Sequence, residues 1–148
     1  MSDIFSVFHD GGISGHVFSQ DRLDLQIDIA YLAERVHPSY KTFHILLTGV
    51  EELWFSTWPK GPDAEPQVLR GPERIFEPEL EILSSKSLGG LVEVICSQSS
   101  SECAYCGGEL YFRADAAMVT DEGGREYSIE DLRRLSREYW DEWASPDD

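Results

Sequence analysis

Cys103-Ala104-Tyr105-Cys106-Gly107-Gly108 is the sharpest chemical pattern in the chain. Two cysteines at this spacing in a glycine-closed turn hold one side of a tetrahedral zinc. A structural site needs four ligands, and no second such pair follows. Cys96 would therefore be the third ligand and a histidine the fourth. The rival use is redox, in which the first thiolate is activated at a helix N-terminus. Here the pair falls in an expected hairpin loop, which weighs against redox. The plainest reading is two loop cysteines with no ligand, because half a zinc signature arises often by chance. No cofactor other than such a zinc is expected.

His9-Asp10 is the second candidate. Adjacent histidine and aspartate ligate metals in helical phosphohydrolases, but the further histidines and aspartates of that pattern are missing. The alternative is a turn in which Asp10 caps the backbone and His9 bonds locally. An enzyme built on this pair would need a concave pocket around it with other polar groups converging. His16, His37 and His44 fall on expected strands or loops, and His44, between apolar neighbours, reads as a core or sheet-face histidine. No serine lies in a nucleophile-elbow sequence, and no glycine loop for phosphate is present. Paired carboxylates such as Glu51-Glu52 and Asp141-Glu142 read as solvated. Trp54, Trp58, Trp140 and Trp143 are either core or partner anchors, tryptophan being favoured at interface hot spots. Core packing is favoured for Trp140 and Trp143, which continue a helical apolar stripe.

The elements that must position these groups are mostly strands. In Arg22-Leu23-Asp24-Leu25-Gln26-Ile27-Asp28-Ile29, leucine and isoleucine take every odd position and polar side chains every even one. Successive side chains of a strand point to opposite faces, so this run buries one face and wets the other. Residues 13–18 alternate too and predict a hairpin with 22–29. Ile4 to Phe8 is a short apolar run, read as a strand that ends at the His9-Asp10-Gly11-Gly12 turn. Residues 31–36 read as a loop with one helical turn, stopped by Pro38. Strands are expected over 42–47 and 50–58, then an exposed loop over 59–66. Short edge segments follow at 67–69 and 74–76, and a strand at 80–83 that ends in Ser84-Ser85-Lys86-Ser87. Residues 91–96 and 110–114 predict a strand pair joined by an exposed serine-rich loop over 97–108. Ser128 caps a helix over about 129–144, which would pack on the sheet or cover its edge. Pro146 ends it.

The 148 residues are enough for one domain with its own core. The expected fold is α+β and mainly antiparallel β, a curved sheet or sandwich of about seven to nine strands with one C-terminal helix. Three cysteines and no secretion signal argue against a disulfide framework and for the cytoplasm. No apolar run reaches the roughly 20 residues that cross a bilayer, so no membrane role is expected. The net charge of -16 disfavours nucleic acid, which needs clustered lysine and arginine. It favours a basic protein partner, since opposite fields speed encounter.

Phe8-His9-Asp10-Gly11, the strand through Ile29-Ala30-Tyr31-Leu32 and then Phe43-His44-Ile45-Leu46-Leu47 resemble a group of small acidic bacterial proteins. These open with an aromatic-His-Asp turn and run into β-hairpins. Some resemble the immunity proteins of polymorphic toxin systems, which bind and block a toxin made by the same cell. The resemblance covers about the first 55 residues, and neither the cysteine loop nor the tryptophan-bearing helix belongs to it. It implies a non-enzymatic protein-binding domain that neutralises a basic toxin. The candidate contacts are Glu51, Glu52, Trp58, Asp141 and Glu142. The alternative is a small zinc- or ligand-binding domain that uses Cys96, Cys103 and Cys106.

Overall fold

The computed structural model describes residues 1–144, so Pro146 lies outside the described residues. Ten strands form one open antiparallel sheet. In chain order they are β1 (Gly12–Ser19), β2 (Arg22–Asp28), β3 (Thr42–Thr48), β4 (Glu52–Pro59), β5 (Val68–Arg70), β6 (Leu80–Leu88), β7 (Leu91–Ser97), β8 (Tyr105–Arg113), β9 (Ala116–Asp121) and β10 (Glu126–Tyr127). The helices are α1 (Ser2–Val7), α2 (Ala30–Val36), α3 (Pro72–Ile75) and α4 (Ile129–Ala144). Across the sheet the order is β10-β9-β3-β2-β1-β6-β7-β8-β4-β5.

The α+β class, the antiparallel sheet and the C-terminal helix are as the sequence predicts. The strand count is higher than seven to nine, because the short β9 and β10 carry weak alternation and go unread in the sequence. Leu23, Leu25 and Ile27 are fully buried, and they pair with Leu47, Ile45 and Phe43 on the same face. Asp24, Gln26 and His44 take the opposite face, where His44 Nδ1 lies 2.9 Å from Asp24 Oδ1.

The first apolar run is a helix, not a strand. Phe5 and Phe8 are three residues apart and both fully buried, a helical spacing that a five-residue apolar run does not separate from a strand. Residues 31–36 likewise form a complete short helix, with Leu32 and Ala33 inward. His37 is extended at φ -155°, as a residue before proline should be. Residues 74–75 belong to α3 rather than to an edge strand. β6 runs through the serines to Leu88, because β7 pairs with it residue by residue from Ser84 onward. Gly89 and Gly90, at φ 60° and 89°, close that hairpin. Two residues with positive φ are what the twist of a tight hairpin demands.

The two halves of the sheet meet at a narrow joint. β1 and β6 share two residue pairs, Gly12 with Glu81 and Ile13 with Leu80. Asp10 N–H donates to Ile82 O at 2.7 Å and Ile82 N–H to Gly11 O at 2.8 Å, extending the joint slightly. α1 spans it on the core side. Phe5 meets Phe112 of β8 at 5.5 Å, and Phe8 meets Phe43 of β3 at 5.3 Å. One short helix thus ties both halves into one core.

α4 spans Ile129–Ala144 as predicted, but it rests mainly on α1 and α2 rather than on the sheet. The face it would otherwise cover is already filled by α1. Ser128 Oγ accepts from Asp131 N–H, and Asp131 Oδ2 accepts from Ser128 N–H, both at 3.1 Å. This reciprocal cap satisfies two backbone donors at the helix start.

Two predictions follow from these supports. Phe5→Ala should cost about 4 kcal/mol in denaturant unfolding, since it empties a fully buried ring site between the sheet halves. Hydrogen bonds from the Ser128 backbone, then its side chain, hold the Asp131 carboxyl below its usual range. A carboxylate depressed by folding stabilises above its unfolded pKa, and that contribution is lost as pH falls through the folded value. Thermal melts from pH 6 downward should therefore fall less steeply for Asp131→Asn than for the native chain.

Candidate protein-binding surface

The cysteine loop is organised by an amide, not by the thiols. Gln98, 6% exposed, donates from Nε2 to Tyr105 O at 2.6 Å and accepts at Oε1 from Ser100 N–H. Its backbone N–H donates to Cys106 O at 2.8 Å. Lys60 N–H donates to Ala104 O at 3.1 Å, fixing the loop to the end of β4. The sequence predicts an exposed loop over residues 97–108, but β8 begins at Tyr105. Gly107 and Gly108 sit inside that strand. A Cβ on Gly108 would lie 2.1 Å from Ser56 O, and one on Gly107 would lie 2.3 Å from Cys96 O. The glycines therefore allow close strand packing; they do not close a metal turn.

The three thiols are separated in kind. Cys96 is fully buried on the core face of β7, and burial pushes its thiol up to about 12. Cys103 is half-buried and Cys106 exposed, its Sγ 3.6 Å from Trp58 O. Among the described residues, no group of three or more His, Cys, Asp or Glu side chains gathers where it could hold a metal.

Glu51 and Glu52 lie at the start of β4 and Trp58 near its far end, about 20 Å along the strand, so the structure does not bring them together. Glu52, Trp54 and Trp58 alternate onto the outer face of β4, and Glu51 immediately precedes it. Glu52 accepts from Arg113 Nε at 2.6 Å. Glu51, Glu52, Leu53, Trp54 and Arg70 line a hollow of about 410 Å³. Trp54 stacks on Tyr111 at 5.0 Å, and Tyr111 donates to the buried Glu93 at 2.8 Å. Asp141 and Glu142 lie elsewhere, on the last turns of α4, so the five predicted contacts do not form one surface.

The surface at α4 is the more exposed. Trp140 is 44% and Trp143 67% exposed, which corrects the expectation that both pack in the core. The inward stripe of α4 is Leu132, Leu135 and Tyr139, and α2 supports only that flank of the last turns. Tyr139 meets Tyr31 at 4.6 Å and stands edge-on to Trp140 at 4.9 Å. Trp143 lies 6.4 Å from Tyr139. His9 stacks on Trp140 at 6.0 Å, and its Nδ1 bonds Ser6 O at 3.0 Å. Tyr31 donates to His9 O at 2.9 Å. Burial, and then the Asp10 carboxylate, pushes the Tyr31 phenol up to about 12, so it stays a donor.

Charge is sorted along the same helix. Arg35 of α2 sits between Glu138, at 3.8 Å, and Glu142. Arg133 pairs with Asp3 at 3.0 Å and Arg134 with Asp131 at 3.2 Å. Asp141 has no basic partner within 4 Å among the described residues. The signals for Tyr31 and Arg35 were in the sequence: each pair, Tyr31/Arg35 and Glu138/Glu142, is four apart and shares a helix face. Their pairing across helices was not.

Beside this surface a cleft of about 480 Å³ opens between α1 and α4, lined by residues that include Asp3, Ser6, His9, Glu130, Arg133 and Arg137. His9 reaches it, but Asp10 does not. The Ser6 hydroxyl in that cleft donates to Ser85 O at 3.3 Å. Asp10 stands in the left-handed region at φ 69°, and its carboxylate lies 4.0 Å from His9 Nε2. The turn is held by the Asp10 backbone rather than by a side-chain cap.

No protein-family model, no curated protein and no solved structure matches the chain. No helix among the described residues is long and apolar enough to cross a membrane.

Thiol labelling tests the cysteine assignment. With Ellman's reagent at pH 8, Cys106 should react first and Cys103 more slowly. Cys96 should react only after unfolding in guanidinium. Rapid reaction of Cys96 in the folded protein would contradict its place in the core.

Proposed function

We propose that this chain is a non-enzymatic, cytoplasmic, acidic protein-binding domain that neutralises a basic toxin, as an immunity protein does. One observation carries the reading: Trp140 and Trp143 stand exposed on a helix end whose charged neighbours are Glu138, Asp141 and Glu142. Large exposed aromatics are costly on a surface that meets only water, and tryptophan anchors protein interfaces. The net charge of -16 supplies the long-range attraction to a basic partner. Binding of this kind blocks a toxin by covering its active site or substrate path, and needs no chemistry from the chain. Glu51 and Glu52 at the start of β4, and Trp58 near its end, offer further acidic and aromatic contacts.

The test is recovery of a basic polypeptide from the source cell with the tagged chain at low salt, followed by assay of that polypeptide's toxicity. The chain should abolish the toxicity at equimolar concentration. Trp143→Ala should weaken the complex by about 2 kcal/mol, roughly thirtyfold in Kd. Raising the salt should slow association more than it speeds dissociation. A recovered partner whose toxicity is unchanged by the chain would refute the reading.

A further inference from the structure

We infer that the α4 surface takes an arginine side chain of the partner, with the guanidinium laid against the Trp140–Trp143 pair. This rests on the proposed protein-binding role and names the chemistry it reads. Two features of the last turns of α4, and one beside them, point to a cation. Their charged side chains are all acidic: Glu138, Asp141 and Glu142. No basic residue occupies the final turn, so the negative end of the helix dipole is left without a counter-charge from its own helix. Asp10, with its side chain 59% exposed, adds a carboxylate beside His9 and Tyr31.

The aromatic rings decide between cations. Arginine stacks its planar guanidinium on an aromatic face and bonds a carboxylate with two donors at once, whereas lysine is a compact, strongly hydrated charge. The molecule already shows this helix receiving a guanidinium on its other flank. Arg35 is held by Glu138 and Glu142, four residues from Tyr31, which packs on Tyr139. The exposed flank offers the same ingredients from two elements: Trp140 and Trp143, three apart on one helix face, give the rings, and Asp10, beside the His9 that stacks on Trp140, gives the carboxylate. A second copy of this chain is the poorer occupant, because two surfaces of like sign on bodies of charge -16 repel. The arginines earlier on α4 are turned to other tasks: Arg133 and Arg134 are paired with Asp3 and Asp131, and Arg137 lines the cleft beside α1.

The experiment uses the full chain and two probes, capped nona-arginine and capped nona-lysine peptides. They are titrated at about 0.15 M salt, where exposed charges more than roughly 8 Å apart are screened. Nona-arginine should bind at least tenfold more tightly and quench tryptophan fluorescence. Trp143→Ala, at an exposed position where the fold should be unaffected, should bring the two peptides within about twofold of each other. Asp10→Asn, which keeps a side chain that tolerates the left-handed backbone there, should weaken nona-arginine about tenfold. Asp63→Asn, the same charge change in the exposed loop after β4, should weaken both peptides equally and less. Equal binding of the two peptides, or an arginine preference that survives Trp143→Ala, would overturn the inference. The protein-binding role would stand in that case if the captured toxin is still neutralised. Failure of either peptide to bind, together with failure to neutralise, would overturn both.

Discussion

The whole molecule depends on a two-pair joint and the helix that braces it. β1 and β6 touch through Gly12–Glu81 and Ile13–Leu80, and each then runs on without the other. A ladder that short cannot by itself hold two five-stranded halves in one plane. Phe5 and Phe8 supply the remainder by placing one ring in each half, and the Ser6 and Ser2 hydroxyls tie the same helix to β6 at Ser85 and Ser87. Every later feature inherits this arrangement. α4 rests on α1 and α2, so the tryptophans at its end are placed by the same bracing contacts.

The cysteine loop shows how one polar side chain takes over a task that the sequence suggests for a metal. A loop between strands needs its backbone groups satisfied, because buried unpaired amides are costly. Gln98 meets that need with both ends of its amide, and no coordination is required to order the segment. Beneath the loop, the absent side chains of Gly107 and Gly108 let Ser56, Phe55 and Trp58 of β4 approach β8. The C-x-x-C-G-G pattern is thus a strand start with close neighbours.

Charge and aromatic surface act at different ranges in the proposed binding. The excess of carboxylates draws a basic body from a distance and says little about where it docks. The docking point needs apolar area that water would rather lose, and Trp140 with Trp143 offers it. The two roles meet at the end of α4, where exposed rings stand in the field of the helix's acids.

The sequence by itself determined the core hairpin, the antiparallel class, the extent of α4 with its Ser128 cap, and the sign of the field. These are local or additive properties: period-two alternation in Leu23, Leu25 and Ile27, three-and-four spacing in Leu132, Leu135 and Tyr139, and a sum of charges. It left the nature of Ile4 to Phe8 undecided, because a short apolar run suits either element until its packing is known. Only the tertiary structure decided that Trp140 and Trp143 face water, that Cys96 turns away from Cys103 and Cys106, and that Arg35 lies between Glu138 and Glu142. Each of those outcomes depends on which element lies alongside, and that is fixed by contacts between residues far apart in the chain.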